Sequence, residues 1–127
     1  MRRTLLSLLG GLLAPALWVS VAWADAETGD AYFRSVEGGN CITCHSTGSK
    51  RLIGPGMENV TKRHSDVWLR LWLKNPQALW SSDHPETLEL KSRVHKTRVK
   101  VTSCQKKPMT EEQIGDLLDF LKTLEKE

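Results

Sequence analysis

The sequence has no internal repeat, no low-complexity tract, no long Gly/Ser-rich linker and no alternating pattern that reads as a strand. Those absences exclude a repeat array and leave no reason to divide the chain, whose 127 residues suit one domain. Charge of one sign is lacking too: 18 basic and 15 acidic residues leave a formal net charge of +3. Nor can an acid–base pair or a nucleophile–base constellation be assembled, so no hydrolytic site is expected. What is present, 39% hydrophobic and 26% charged residues, rules out a disordered tail, a collagen-like rod and a multi-span membrane protein.

Met1-Arg2-Arg3 is a short basic start, Thr4 to Val21 is nearly uncharged and apolar, and Ala22-Trp23-Ala24 is a small-x-small site ahead of Asp25. This is the pattern of a secretory signal peptide over residues 1–24, cleaved after Ala24. An uncleaved membrane anchor is the alternative, because the run is about as long as the shortest bilayer-spanning segments. Cleavage would leave a single domain over 25–127 and remove two basic residues, Arg2 and Arg3, so the mature chain carries +1.

The mature chain reads as all-α. From Glu27 to Val36, the residues Ala31, Tyr32, Phe33 and Val36 form a helical stripe closed by Gly38-Gly39. Ser65 and Asp66 start a second helix, in which Val67, Trp68, Leu69, Leu71, Trp72 and Leu73 wrap most of the way round, so much burial is expected before Asn75-Pro76 ends it. Thr110 and Gln113 make a capping box for a third, with Ile114, Leu117, Leu118, Leu121 and Leu124 at three- and four-residue steps. Between the second and third, residues 77–103 are mostly polar, with a helical turn or two expected over Pro85 to Leu90. A core built from so short a chain is thin, and something else is expected to help fill it.

Cys41-Ile42-Thr43-Cys44-His45 is the C-x-x-C-H pattern of covalent haem c attachment. Each thiol can add to one vinyl group, and the adjacent imidazole is then placed to ligate iron. Two other readings use the same residues. A redox dithiol would expect a βαβ context that is missing, and a zinc half-site would need further ligands from Cys104, His64, His84 and His95, which stand at irregular intervals.

Export pattern, N-terminal helix, C-x-x-C-H, Gly54-Pro55 and amphipathic C-terminal helix together resemble the small single-haem c-type cytochromes of the bacterial periplasm, over essentially all of 25–127. The resemblance implies a cytochrome c-like all-α domain around one haem c, attached through Cys41 and Cys44, with His45 as proximal ligand. It implies crossed terminal helices, with Tyr32 or Phe33 meeting Leu118 or Phe120, and a Pro55 carbonyl that accepts a hydrogen bond from His45. Such an acceptor fixes the imidazole and raises its basicity; a simple turn at Gly54-Pro55-Gly56 would account for the same residues. Haem carboxylates in this family are often held by a basic residue and a Trp N–H, for which Arg63 and Trp68 stand in suitable places, although a Trp at helical spacing is as readily core.

The distal ligand departs from the family pattern. A methionine is usual about six residues before the cap of the last helix; that count back from Thr110 lands on Cys104. Met109 directly precedes the cap, where an apolar residue is more naturally a staple packing on Ile114. Cys104 is also the odd cysteine, and a thiol in an oxidising compartment normally takes a partner. A thiolate would favour ferric iron and lower the midpoint potential, with nearby Arg98, Lys100, Lys106 and Lys107 helping to keep it deprotonated. Cys104 is therefore the expected distal ligand, with Met109 as the alternative, His95, Met57 or an open site behind it, and a surface or dimer-forming thiol as the plain reading.

Seven basic side chains and His95 lie between Lys91 and Lys107 without an acid. They form either a solvated loop or a positive face that steers an acidic redox partner or an anion to the haem. The expectation is a monomeric periplasmic electron carrier, not an enzyme, with redox proteins as partners and no nucleic acid; the membrane enters only if the signal stays uncleaved. Two rivals remain: a haem component of thiosulfate or sulfite oxidation, with a small sulfur anion as ligand, and a haem-based redox or gas sensor.

Overall fold

The computed structural model describes residues 24–94 and 107–127. Asp25 opens α1 (Ala26–Arg34) by accepting the Glu27 N–H on its side chain, the usual satisfaction of an orphan donor at a helix start. Gly29 and Phe33, one turn apart, are its buried residues. Ala31 faces solvent and Val36 is 64% exposed, contrary to the expected stripe. The reason is geometric: Val36 lies past the helix end, and Ala31 is two residues, about 200°, round from Gly29.

After the Cys41–Thr43 3-10 turn, the chain makes the short helix α2 (Val60–Arg63). Then come α3 (Asp66–Lys74), capped by the Ser65 hydroxyl, and α4 (Pro76–Trp80), which begins at Pro76 while the Asn75 side chain caps the Ala78 N–H. Asn75-Pro76 thus ends one helix and starts the next, since proline is tolerated in a first turn and disfavours helix before it. On α3 only Trp68 and Leu69 are fully buried; Val67 is 67% exposed and Leu71 also faces out. The expected all-round burial is corrected accordingly, because α3 packs on the core along one side.

Residues 77–94, the described part of the 77–103 segment, hold more helix than their polarity suggests. Leu79 and Trp80 on α4 are buried, and α5 (Pro85–Arg93) has His84 as N-cap and buries Thr87 and Leu90. The last helix, α6 (Glu111–Lys122), starts with both halves of the capping box at Thr110 and Gln113 and buries Ile114, Leu117, Leu118, Phe120 and Leu121.

The terminal helices α1 and α6 cross at the centre. The Phe33 and Phe120 rings meet at 5.4 Å with a 53° tilt, a favourable aromatic geometry. Beyond α6 the chain end is tied to the start of α2: Asn59 N–H donates to the Leu124 carbonyl at 3.3 Å, and Asn59 Oδ1 accepts the Lys126 N–H at 2.8 Å. Asn59 has φ 57°, a left-handed conformation that asparagine tolerates better than most side chains. No described helix is long and apolar enough to cross a membrane.

Candidate functional site

Tyr32, on the last turn of α1, sets the approach to the cysteines. A Cβ on Gly39 would come 2.6 Å from the Tyr32 ring and 2.8 Å from Cys41 Sγ, so only glycine lets the chain pass there. Asn40, at φ 49°, then turns it into the 3-10 segment, with Asn40 Oδ1 accepting the Thr43 hydroxyl at 2.7 Å. In a 3-10 turn residues three apart eclipse, which is the local reason that Cys41 and Cys44 fall on one side. Both Cys44 N–H and His45 N–H donate to the Cys41 carbonyl, at 3.0 and 2.8 Å.

A loop then folds back beneath the histidine. Gly54 N–H donates to the Cys44 carbonyl at 2.8 Å, and Met57 N–H to that of Ser46 at 2.9 Å. His45 Nδ1 stands 2.7 Å from the Pro55 carbonyl oxygen. A carbonyl can only accept, so the ring proton sits on Nδ1 and the neutral imidazole keeps its lone pair on Nε2. Gly54 packs flat under the ring: an added Cβ would lie 2.8 Å from Nδ1 and 2.9 Å from Nε2.

Arg63 clasps this loop from α2, donating to the carbonyls of Glu58 and, at 3.1 Å, Gly56. Its guanidinium lines a cavity of about 290 Å³ together with Arg51, Pro55 and Arg93. Burial, then the charge of Arg93, holds the Arg63 pKa below its ordinary value.

Trp68 Nε1–H donates to Thr87 Oγ1 at 3.0 Å in the interior. Its ring stacks between His64, at 4.1 Å, and Trp72, at 5.0 Å, and Trp72 meets Trp80 edge-on at 6.2 Å. His64 is itself buried, receiving Arg93 Nη2–H on Nε2 at 2.8 Å and facing Glu86 Oε2 from Nδ1 at 3.3 Å.

Met109 is buried within the same core cluster as Ile114. Met57 is half-buried after the Pro55 turn. Cys104 and His95 lie outside the described residues, as do Lys96, Arg98, Lys100, Lys106 and the signal segment before Ala24. Of the basic run, Lys91 sits over the Trp80 ring at 5.1 Å and Arg93 turns inward to His64 and Glu89, which removes Arg93 from any outer positive face.

Sequence reasoning missed His64, Glu86 and Thr87 as partners around Trp68, and also Asp116. Asp116 had a legible signal: it is a charged residue in the buried phase of α6, between Ile114 and Leu117, and it accepts the Asp25 N–H at 2.8 Å.

The residues fit covalent haem better than their rivals. Burial, with a smaller contribution from Cys44, pushes the Cys41 thiol up to about 11 against a weaker backbone hydrogen bond. A redox dithiol requires the reverse, a depressed thiol pKa. Among the described residues no group of three or more His, Cys, Asp or Glu side chains is placed to hold a metal ion; Cys104 and His95, which the zinc reading also named, lie outside them. An oriented imidazole beside paired thiols is instead the donor set that haem c needs.

Helices crossed over a C-x-x-C-H turn define a haem-attachment domain of the all-α class. The family model described as Cytochrome c matches residues 26–125, and the chain belongs to the cytochrome c family. That family is one of haem electron-transfer proteins with covalently bound haem c. No curated protein matches the chain.

Proposed function

We propose that the chain is an exported single-electron carrier with one haem c joined to Cys41 and Cys44, His45 as proximal ligand and Cys104 as distal ligand. The observation that carries this is the His45 Nδ1 to Pro55 carbonyl contact of 2.7 Å, immediately after the paired cysteines. It holds the imidazole in one tautomer and one orientation. Bound haem supplies a one-electron iron centre; the chain's own part is ligand choice, burial and presentation of one edge. Arg63 and Arg93, beside Pro55, offer positive charge to the haem carboxylates.

Met109 supports the cysteine assignment indirectly. Its side chain is 6% exposed in the core that holds Ile114, the place expected of a staple ahead of the Thr110 cap. Cys104, six residues before Thr110 in the sequence, is then the loop ligand we assign, and thiolate ligation gives a midpoint potential well below that of a His/Met haem. Cleavage after Ala24 delivers the monomer to the periplasm, where the remaining basic residues of the 91–107 run attract acidic redox proteins.

Purified exported protein should show a Soret band and a mass exceeding the polypeptide by one haem. Ferric optical and electron-spin-resonance spectra should change in Cys104→Ala and persist in Met109→Leu. A thioether-type far-red band untouched by Cys104→Ala overturns the distal assignment, and colourless protein overturns the whole reading.

A further inference from the structure

We infer that Asp116 is a receptor for the amino terminus created when the signal peptide is removed. Asp25 N–H donates to Asp116 Oδ1 at 2.8 Å, across 91 residues of sequence. Asp116 is 6% exposed, an acidic side chain on a helix whose other buried residues are apolar. The nitrogen it meets is the atom that hydrolysis of the Ala24–Asp25 bond would free. Ala24 and Asp25 are both exposed residues on either side of that bond.

Hydrolysis adds one water to that amide. The leaving segment keeps the Ala24 carboxylate, and Asp25 keeps an amine that takes up a proton. A neutral amide donor opposite a buried carboxylate thereby becomes an ammonium opposite the same carboxylate. The bond becomes charge-assisted on both sides, and such bonds are shorter and stronger than neutral ones. Buried charge is tolerated when it is paired in this way, which accounts for an acid in the buried phase of α6.

Among the described residues, the charged groups at the start of α1 do not reverse the effect. On α1, the Asp25 carboxylate caps the Glu27 N–H at 3.0 Å and the Thr28 hydroxyl at 3.2 Å, and Glu27 stands in the first turn. Both are acids and favour an ammonium. The positive end of the α1 dipole opposes it, but that field is weak beside a direct contact with a buried carboxylate. Processing therefore does more than release the chain: it fastens the start of α1 to α6, the pair of helices on which the core is built.

The inference rests on cleavage after Ala24, and the test separates the two. Intact mass of the exported holoprotein first locates the amino terminus. The Asp25 Cα resonance of ¹³C-labelled holoprotein is then followed from pH 6 to 11. With Asp25 first, the amine should titrate above the ordinary α-amino range of about 7.7–8.0. It should return to that range in Asp116→Asn. A second form, processed one residue earlier so that Ala24 is retained, should also titrate in the ordinary range, and it keeps the test valid if Asp116→Asn does not fold. Ordinary titration of a wild-type chain that begins at Asp25 overturns the ion pair and leaves the cleavage intact. A mass that begins elsewhere overturns both.

Discussion

Gly29 of α1 lies directly against the backbone of Asp116 on α6, so close that a Cβ on Gly29 would fall 2.6 Å from the Asp116 carbonyl carbon and 2.8 Å from Phe120 Cβ. The obstacle is main chain and cannot swing aside. Gly29→Ala should therefore push the terminal helices apart despite alanine's better helix propensity. Overpacking costs about 1–3 kcal/mol, and a backbone clash belongs at the upper end. The urea midpoint of the holoprotein should fall with little change in slope; an unchanged midpoint would show that the crossing can slide.

Gly54 has the same role under the imidazole. A side chain there would press on the His45 ring and break its 2.7 Å bond to Pro55. Loss of such supporting contacts typically weakens metal binding about 10–100-fold. Gly54→Ala should yield holoprotein whose His45 is displaced by imidazole or cyanide at much lower concentration than in wild type. Equal titration curves would argue that the loop, not the glycine, orients the ring.

Buried His64 makes stability depend on pH. Burial, then the charge of Arg93, lowers its pKa, while hydrogen bonding and charge from Glu86 oppose the shift without reversing it. The folded state thus binds fewer protons than the unfolded chain once the pH drops below the ordinary histidine value of about 6.5. Stability is full above that value and declines as pH falls toward the folded pKa, by about 1.4 kcal/mol for each unit of depression. Protonation would also place a second N–H against Arg93 Nη2, now 2.8 Å from Nε2. Urea unfolding between pH 7.5 and 5.5 should show this loss, and His64→Gln should flatten it. Glu86 adds a separate limb: burial raises its pKa, but the Ser65 hydroxyl and N–H and His64 together hold it below the ordinary value, so its contribution disappears only below about pH 4.5.

These partners explain which parts of the molecule were legible in advance. The start of α6 was readable because Thr110 and Gln113 satisfy each other within four residues, and its apolar steps need no outside information. Family resemblance implied that Tyr32 or Phe33 meets Leu118 or Phe120, and the fold selects Phe33 with Phe120. α5 was legible only as the turn or two expected over Pro85 to Leu90 and α4 not at all, because their burial rests on Leu79, Trp80, Thr87 and Leu90, too few apolar side chains to set a period. Val67 and Leu71 misled in the other direction: apolar character does not tell which side of α3 meets the core. At the site, C-x-x-C-H and Gly54-Pro55 are local words and could be read. The Arg63 clasp and the His64–Glu86–Arg93 cluster depend on elements brought together by the fold, and no spacing rule announces them.

Trp68 and Thr87 give the most direct measure of that tertiary contribution. Thr87 is fully buried on α5, and its hydroxyl accepts the Trp68 N–H at 3.0 Å. Thr87→Val keeps the shape but leaves a buried indole N–H without its acceptor, a loss of about 1–3 kcal/mol. Trp68→Phe strips the donor and leaves the hydroxyl alone, and in addition shortens the stack between His64 and Trp72. When both are changed, no polar group is stranded, so the double variant should be more stable than the sum of the two losses predicts by about 1 kcal/mol or more. Denaturant unfolding of the four proteins supplies the cycle. Strict additivity would mean that α5 is held to α3 by packing alone, and that the hydrogen bond contributes nothing beyond what water offers the unfolded chain.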